Sequence, residues 1–431
     1  MKRSPVVQPA RGTAARVKAK LASRIGDRHN SLWLCAATAM MGVQQAGILT
    51  YLPVFLARLG ATTEQIGLLT SLPAVASLFV LIPAGLFAER FPNQVRLRVR
   101  AAFLLRLPNL LLALVPSILP LSAIPSVAIF AWVLRALGMA VANSAWMTVM
   151  ASAIPADQRP RVNGLRWALL SIVAAVLGAA FGRMLDVIAF PLNYQILFLI
   201  SFAGTLLDLW LFSHIRVPLL KTSPGAPTRH GRLKSAIRSY VTSIKESHDF
   251  VRFLAATIGF RLALNMSMPL FSLYWVNELQ ASDGWIGLRG TAGYVALVIG
   301  YLGWSKIASH WPGRRVLLTA VLLYGLYPIS TALVPSASWL PLPAVIWGIA
   351  GSGVDMGLFN LLLASAPKDK MPRLSSVLSL VSNGAAFLGP TLGVVLTDAT
   401  NLRTALLVIG VLQILSVSTF GLLPRDESTA T

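Results

Sequence analysis

Charge is scarce in this chain and cysteine is almost absent. Of 431 residues only 12% are charged, 15 of them acidic, and Cys35 is the single cysteine. One cysteine excludes an intrachain disulfide and any cysteine-rich metal site. So few charges, beside 55% hydrophobic residues and a mean hydropathy of +0.69, exclude an ordinary soluble protein of this size. The five histidines (His29, His214, His230, His248 and His310) fall in tails, loops or the ends of apolar runs, and no GxxxxGK[ST] phosphate loop occurs. Neither an ATP-driven pump nor a hydrolase is supported, so no enzymatic activity, cofactor or metal is expected. No short apolar stretch with a cleavage site precedes residue 32, which argues against a cleaved secretory signal.

What is present is a series of long apolar runs. Twelve can be read, near 32–56, 65–88, 99–119, 122–152, 164–188 and 193–213, then 250–275, 285–308, 315–334, 340–366, 374–397 and 402–423. Each is close to the ~20 residues that cross a bilayer as a helix. They are too long and leucine-rich for the alternating strands of a membrane barrel, so the fold class is all-α and polytopic. The division expected is a basic tail (1–31), a six-helix half (32–213), a linker (214–249), a second six-helix half (250–423) and a short tail (424–431). Ile237, Tyr240, Val241 and Ile244 recur at helical spacing in the linker, as in a helix lying on the membrane.

The net charge of +22 raises the question of a nucleic-acid partner, and its distribution answers it. Thirty of the 37 Lys and Arg fall in the tails and in alternate connections, on one side of the membrane. That is the positive-inside bias, which places both termini in the cytoplasm of a cell-membrane protein and makes nucleic acid an unneeded explanation. The N-terminal tail reads as a mobile cationic segment.

Two halves echo each other. "PADQRPR" (Pro155 to Arg161) returns as "PKDKMPR" (Pro367 to Arg373), 212 positions on, and Asp186 and Asp398 are separated by the same distance. Upstream, Pro92 and Pro312 stand 220 apart. Each echo occupies the same ordinal place among the apolar runs, the mark of an internal repeat.

Twelve helices in two similar halves with a polar linker resemble the major facilitator superfamily of secondary transporters. Locally, Gly85, Ala88 and Arg90 match that family's motif between its second and third helices, with Glu89 in place of the aspartate; the bases that follow are displaced to Arg96, Arg98 and Arg100. Arg135 looks like the arginine of the family's fourth helix. "GPTLG" (Gly389 to Gly393) stands in the eleventh run, whereas exporters carry a similar motif in the fifth, where Gly178 and Gly182 have no proline. Both glycine sets read as close packing. The resemblance implies alternating access, with Glu89, Arg90, Asp157, Arg161, Asp369 and Arg373 as latch residues at the cytoplasmic mouth.

An ionised side chain at mid-bilayer costs at least about 2.5–3.5 kcal/mol and needs a partner or water. Asp355 lies near the middle of the tenth run, and the offset of 212 maps it onto Asn143 of the fourth. Arg135, Asn143 and Trp146 share one helical face, Arg261 and Asn265 are one turn apart, and the first run offers Gln44, Gln45 and Tyr51. In the resembling family the first, fourth, seventh and tenth helices line the cavity, which implies that these nine residues surround a small organic solute. Asp355 and Arg261 are expected to pair, either as proton-coupling machinery or as a structural salt bridge; Asp208 is read as reaching water or a basic loop, and Arg106 and Arg289 as readily snorkelling as functional. The expected partners are the solute, protons and the bilayer, with one chain sufficient. A receptor that binds a ligand without moving it is the reading from another class.

Overall fold

The computed structural model describes residues 11–88, 90–155, 158–219, 242–366 and 371–422, with side chains described from Arg28. Among these residues the elements are helical and no strand occurs. Twelve helices are long and apolar enough to cross a membrane: α1 (Arg28–Arg58), α2 (Thr63–Val80), α3 (Gln94–Ser117), α4 (Leu121–Ala153), α5 (Arg161–Val187), α6 (Leu192–Ser213), α7 (His248–Glu278), α8 (Asp283–Ala308), α9 (Gly313–Leu333), α10 (Ala337–Ser365), α11 (Leu374–Ala399) and α12 (Leu402–Phe420). The fold is that of an all-α, multi-pass membrane protein.

Three details depart from the sequence reading. The segment read as a mobile tail is helical from Arg11 and runs unbroken into α1. α3 begins at Gln94 rather than near 99, because the Asn93 side chain caps it by accepting from the Arg96 amide at 2.9 Å. Arg96, Arg98 and Arg100 therefore ride on the helix instead of its approach. Of the proposed linker helix, Ile244 packs against a buried cluster of the second half, while Ile237, Tyr240 and Val241 lie outside the described residues.

Two helices bend where their sequence requires it. In α1 a π-turn covers Gln45–Leu49, and Gly47 takes a non-helical ψ of −109°. A Cβ there would stand 2.1 Å from the Ser201 hydroxyl, which accepts a hydrogen bond from the Ile48 amide at 3.2 Å. α3 breaks at Leu105 and Arg106, since Pro108 has no N–H to offer the carbonyl of Leu104.

The halves touch chiefly through α5 on α8 and α2 on α11. In lipid no hydrophobic force presses helices together, so close contact depends on small residues. Gly178 and Gly182 of α5 meet Gly284 and Gly287 of α8, and a Cβ on Gly287 would stand 2.3 Å from the Gly178 carbonyl oxygen. Gly389 and Gly393 of "GPTLG" serve the same end, seating α11 against Asn265 and Met266 of α7. Both glycine sets are packing devices, as read.

The buried core is distributed unevenly along the bundle. At the end that carries the connections after α1 and α7, one continuous cluster joins both halves, with Tyr51, Phe55, Tyr194 and Phe198 on one side and Leu270, Phe271, Tyr274 and Tyr327 on the other. Toward the end that carries the termini it divides. Phe250, Phe253, Trp304 and Leu374 form a cluster of the second half alone, and Leu34, Val149 and Phe212 one of the first half alone. The halves are thus sealed at the far end and separate toward the terminal end.

Candidate functional site

The seal is polar at its centre. Arg58 closes α1 and Asp283 opens α8, so a cation at a helix C-terminus meets an anion at an N-terminus. The Arg58 Nη2 and Nε donate to Asp283 Oδ1 at 2.8 and 3.1 Å, and Nη2 also reaches the Ala281 carbonyl at 2.8 Å. The Tyr194 hydroxyl of α6 donates to the same Oδ1 at 2.8 Å, and the Tyr51 hydroxyl to the Asp283 carbonyl oxygen at 3.0 Å. Beside them Asp186 Oδ2 accepts from the Ser282 hydroxyl and the Gly284 amide at 3.1 and 3.0 Å, tying the end of α5 to the start of α8.

Tyr51, read as a cavity residue, is fully buried in this joint. Its neighbours Gln44 and Gln45 sit at the bend of α1. Gln44 is buried, and Gln45 lies beside the Tyr294 hydroxyl of α8 in the other half. Asn143 and Asp355, at matching places in the repeat, are both exposed on the inner stretches of α4 and α10.

Asp355 does not pair with Arg261. The ion pairs among the described residues are Arg58–Asp283, Arg106–Asp208 and Arg252–Asp249. Asp355 instead accepts from the Tyr301 hydroxyl of α8 at 3.0 Å. Arg261 keeps a buried Nε without a partner, and Asn265 donates back to the Arg261 carbonyl at 2.7 Å while its Cβ packs on Gly389.

Asp208 is not in water. It is 1% exposed and bound to Arg106, whose break in α3 lets the guanidinium turn inward, so Arg106 does not snorkel. Around the pair lies a cationic, aromatic interior in the first half. Trp146 has Arg166 at 4.3 Å and Arg98 at 4.7 Å from its ring, and Arg98 also covers Phe212 at 3.8 Å. Arg166 donates to Thr38 Oγ1 at 2.8 Å and Asn163 Oδ1 at 2.7 Å. Arg135 lies over Trp132 at 4.5 Å. Such contacts offset part of the cost of a buried guanidinium.

The second half has a counterpart. Arg289 stacks on Trp275 at 4.3 Å and donates to the Tyr327 hydroxyl, with Trp347 at the rim of the group. It faces the aromatic interior and does not snorkel. Glu89, Asp157 and Asp369 of the latch set lie outside the described residues, Arg373 is described by its backbone only, and Arg90 and Arg161 are exposed. At the first copy of the repeated phrase Arg159 caps the end of α4, donating to the Ala151 and Ile154 carbonyls at 2.7 and 3.0 Å. Among the described residues, no group of three or more His, Cys, Asp and Glu is placed to hold a metal.

The residues missed in the sequence are Asp283 and Tyr194 at the seal, Arg289 with its aromatic neighbours, and Arg98 and Arg166 against Trp146. Arg58 and Asp283 sit at span ends, where topology already accounts for charge. Arg289 and Arg166 had the same signal as Arg135, an arginine inside an apolar run.

Two helical halves sealed at one end and parted at the other, with polar side chains between them, define the architecture of a multi-pass membrane transporter. The chain belongs to the Major Facilitator Superfamily, whose sequence profile matches residues 32–260 and again 253–431. The Multidrug efflux pump Tap of Mycobacterium tuberculosis is 26% identical over 267 residues, 57% of this chain and 58% of that one. A probable efflux pump of Penicillium aethiopicum, gsfJ, is 30% identical over 95 residues, 22% of this chain and 17% of that protein. The matches thus span about a sixth to three-fifths of these relatives' length. Among solved structures, a POT family transporter in complex with 5-aminolevulinic acid superposes with a TM-score of 0.71 at 14% identity, covering 90% of this chain and 94% of that one. The E. coli fucose:proton symporter gives 0.59 at 16%, covering 92% and 98%. These likenesses establish the fold.

Proposed function

We propose that the chain moves a small organic solute across the cell membrane by alternating access, its two six-helix halves (32–213 and 250–423) rocking about a site between them, with protons as the coupling ion. The terminal end, rich in Lys and Arg, faces the cytoplasm. The observation that carries the reading is the uneven core: one cluster shared by both halves at the far end, separate clusters at the other. A static receptor has no use for two halves joined at one mouth and parted at the other, whereas a rocking carrier needs such a seal and must be able to reopen it. In the opposite state the cytoplasmic mouth closes through Glu89, Arg90, Asp157, Arg161, Asp369 and Arg373. Gln44, Gln45, Arg135, Asn143, Trp146, Arg261, Asn265 and Asp355 lie along the route, and one chain, holding both halves, suffices.

The test is solute flux in liposomes containing only this protein, with and without an imposed pH gradient, for sugars, amino acids, organic acids and amines. Saturable flux of one class is expected. Asp355→Asn is expected to abolish gradient-driven accumulation while leaving exchange intact. Saturable binding without flux of any class would establish the receptor reading instead.

A further inference from the structure

The charges buried along the spans do not balance. Among the described residues, Arg106, Arg135, Arg166, Arg261 and Arg289 are buried or half-buried and lie at least five residues inside both ends of a span; the acids at that depth are Asp208 and Asp355. Asp208 pairs with Arg106, while Asp355 accepts from the Tyr301 hydroxyl and pairs with no arginine, so the five arginines exceed the two acids by three. Arg135, Arg166, Arg261 and Arg289, two in each half, make no direct ion pair among the described residues, with Asp208 within electrostatic range of Arg166.

Three of these four are held by neutral groups. Arg135 rests on Trp132, Arg166 on Trp146, and Arg289 on Trp275, while the Nε atoms of Arg261 and Arg289 are buried without a partner. Aromatic faces and hydroxyls lessen the cost of burying a guanidinium but do not neutralise it. An anion does. The planar guanidinium fork matches a carboxylate or phosphate, and the aromatic rings packed around these arginines make their surroundings apolar.

We propose that the solute is an organic anion, a carboxylate or phosphate on a flat apolar body, neutralised by Arg135 or Arg166 from the first half and Arg261 or Arg289 from the second. The proposal names the substrate class for the transporter reading above and rests on it. Arginines from both halves give the anion a means of biasing the rocking motion, since it binds better in whichever state brings them toward it.

The experiment is calorimetric titration of the purified protein, in a zwitterionic detergent, with four ligands sharing one ring system: 1-naphthoate, 1-naphthyl phosphate, 1-naphthylmethylamine and 1-naphthalenemethanol. At least one of the acids is expected to bind saturably, and the amine and alcohol not. Arg→Gln at one or more of these positions in each half should weaken binding about tenfold to a hundredfold, the range for a hydrogen bond to a charged group. A variant that fails to fold also loses binding, so Asp355→Asn supplies the test of sign. It removes a negative charge and should tighten acid binding, whereas a cation site would weaken.

Saturable binding by the amine alone, equal binding of all four, or no binding by either acid overturns the proposal. So does stabilisation by phosphatidylglycerol nanodiscs, relative to phosphatidylcholine ones, with neither acid binding, because the arginines then serve lipid headgroups. Counterflow in proteoliposomes separates the two readings. Acid binding without counterflow sinks the transporter reading and leaves the anion class standing; counterflow of the amine alone does the opposite.

Discussion

Replacing Asp283 with Asn removes the charge at the centre of the far-end seal while keeping an oxygen in its place. Arg58 then retains the Ala281 carbonyl and the Tyr194 hydroxyl but loses the charge assistance in two bonds to Asp283 Oδ1, at 2.8 and 3.1 Å. The pair is partly wet, since the Arg58 side chain is 26% exposed and that of Asp283 only 7%. Breaking a fully buried pair costs about 3–5 kcal/mol and an exposed one about 0–1, so an intermediate loss of about 1.5–2 kcal/mol is the estimate. At about 1.4 kcal/mol per factor of ten, the seal should open ten- to thirtyfold more often. Spin labels on cysteines at Ala189 and Ser338, exposed far-end positions in opposite halves, would report this as a larger long-distance fraction in a Cys35→Ser background. Arg58→Gln should do the same, and the double variant should add little, because both singles break one interaction. Unchanged distances in both single variants, or strictly additive effects, would refute the assignment of the pair as a gate.

Two further outcomes are expected. Arg106→Gln should lower stability by about 3–5 kcal/mol by leaving Asp208 charged and buried, while Arg106→Leu with Asp208→Leu recovers most of it; thermal unfolding in detergent checks this, and equal losses in both would contradict it. In a Cys35→Ser background, a cysteine at Ser338 should react with an impermeant thiol reagent added outside the cell and one at Ser309 should not; reversed labelling would invert every statement about sidedness.

The number of spans, the all-helical class and the repeat were legible because hydropathy and spacing are properties of the chain itself. Partners are not. Arg58 and Asp283 stand 225 positions apart and Arg106 and Asp208 stand 102 apart, and periodicity tells which face a residue occupies without naming what it meets. Asp355 shows the limit from the other side. Its place inside a span is legible from hydropathy, and Arg261 is a deep base on a neighbouring run, but in the fold the carboxylate meets the hydroxyl of Tyr301. Tyrosine gives no signal in a charge count. Arg106 and Arg289 are hard to place for a related reason. Snorkelling explains any arginine near a span end, and the features that turn them inward, a proline-induced break in α3 and a cluster of aromatic rings around α8, emerge only when the helices are packed.

The repeated phrase also has its explanation in packing. Its shared prolines fit the turn between the fourth and fifth helix of each half, because proline starts a helix well and continues one badly. Beyond that the copies have diverged. Arg159 of the first binds the last carbonyls of α4, while Met371 stands at the same place in the second and can form no such bond. The same divergence runs through the seal, where Arg58 ends α1 and the residue 220 positions on, Glu278, ends α7. Among the described residues Arg58 is the cation paired with Asp283, whereas Glu278 is exposed, so the joint draws that cation from the first half. Glu278→Gln should therefore leave the far-end distances as they are, and a shift to longer distances like that of Asp283→Asn would mean that the charge at the end of α7 takes part in closing the far mouth.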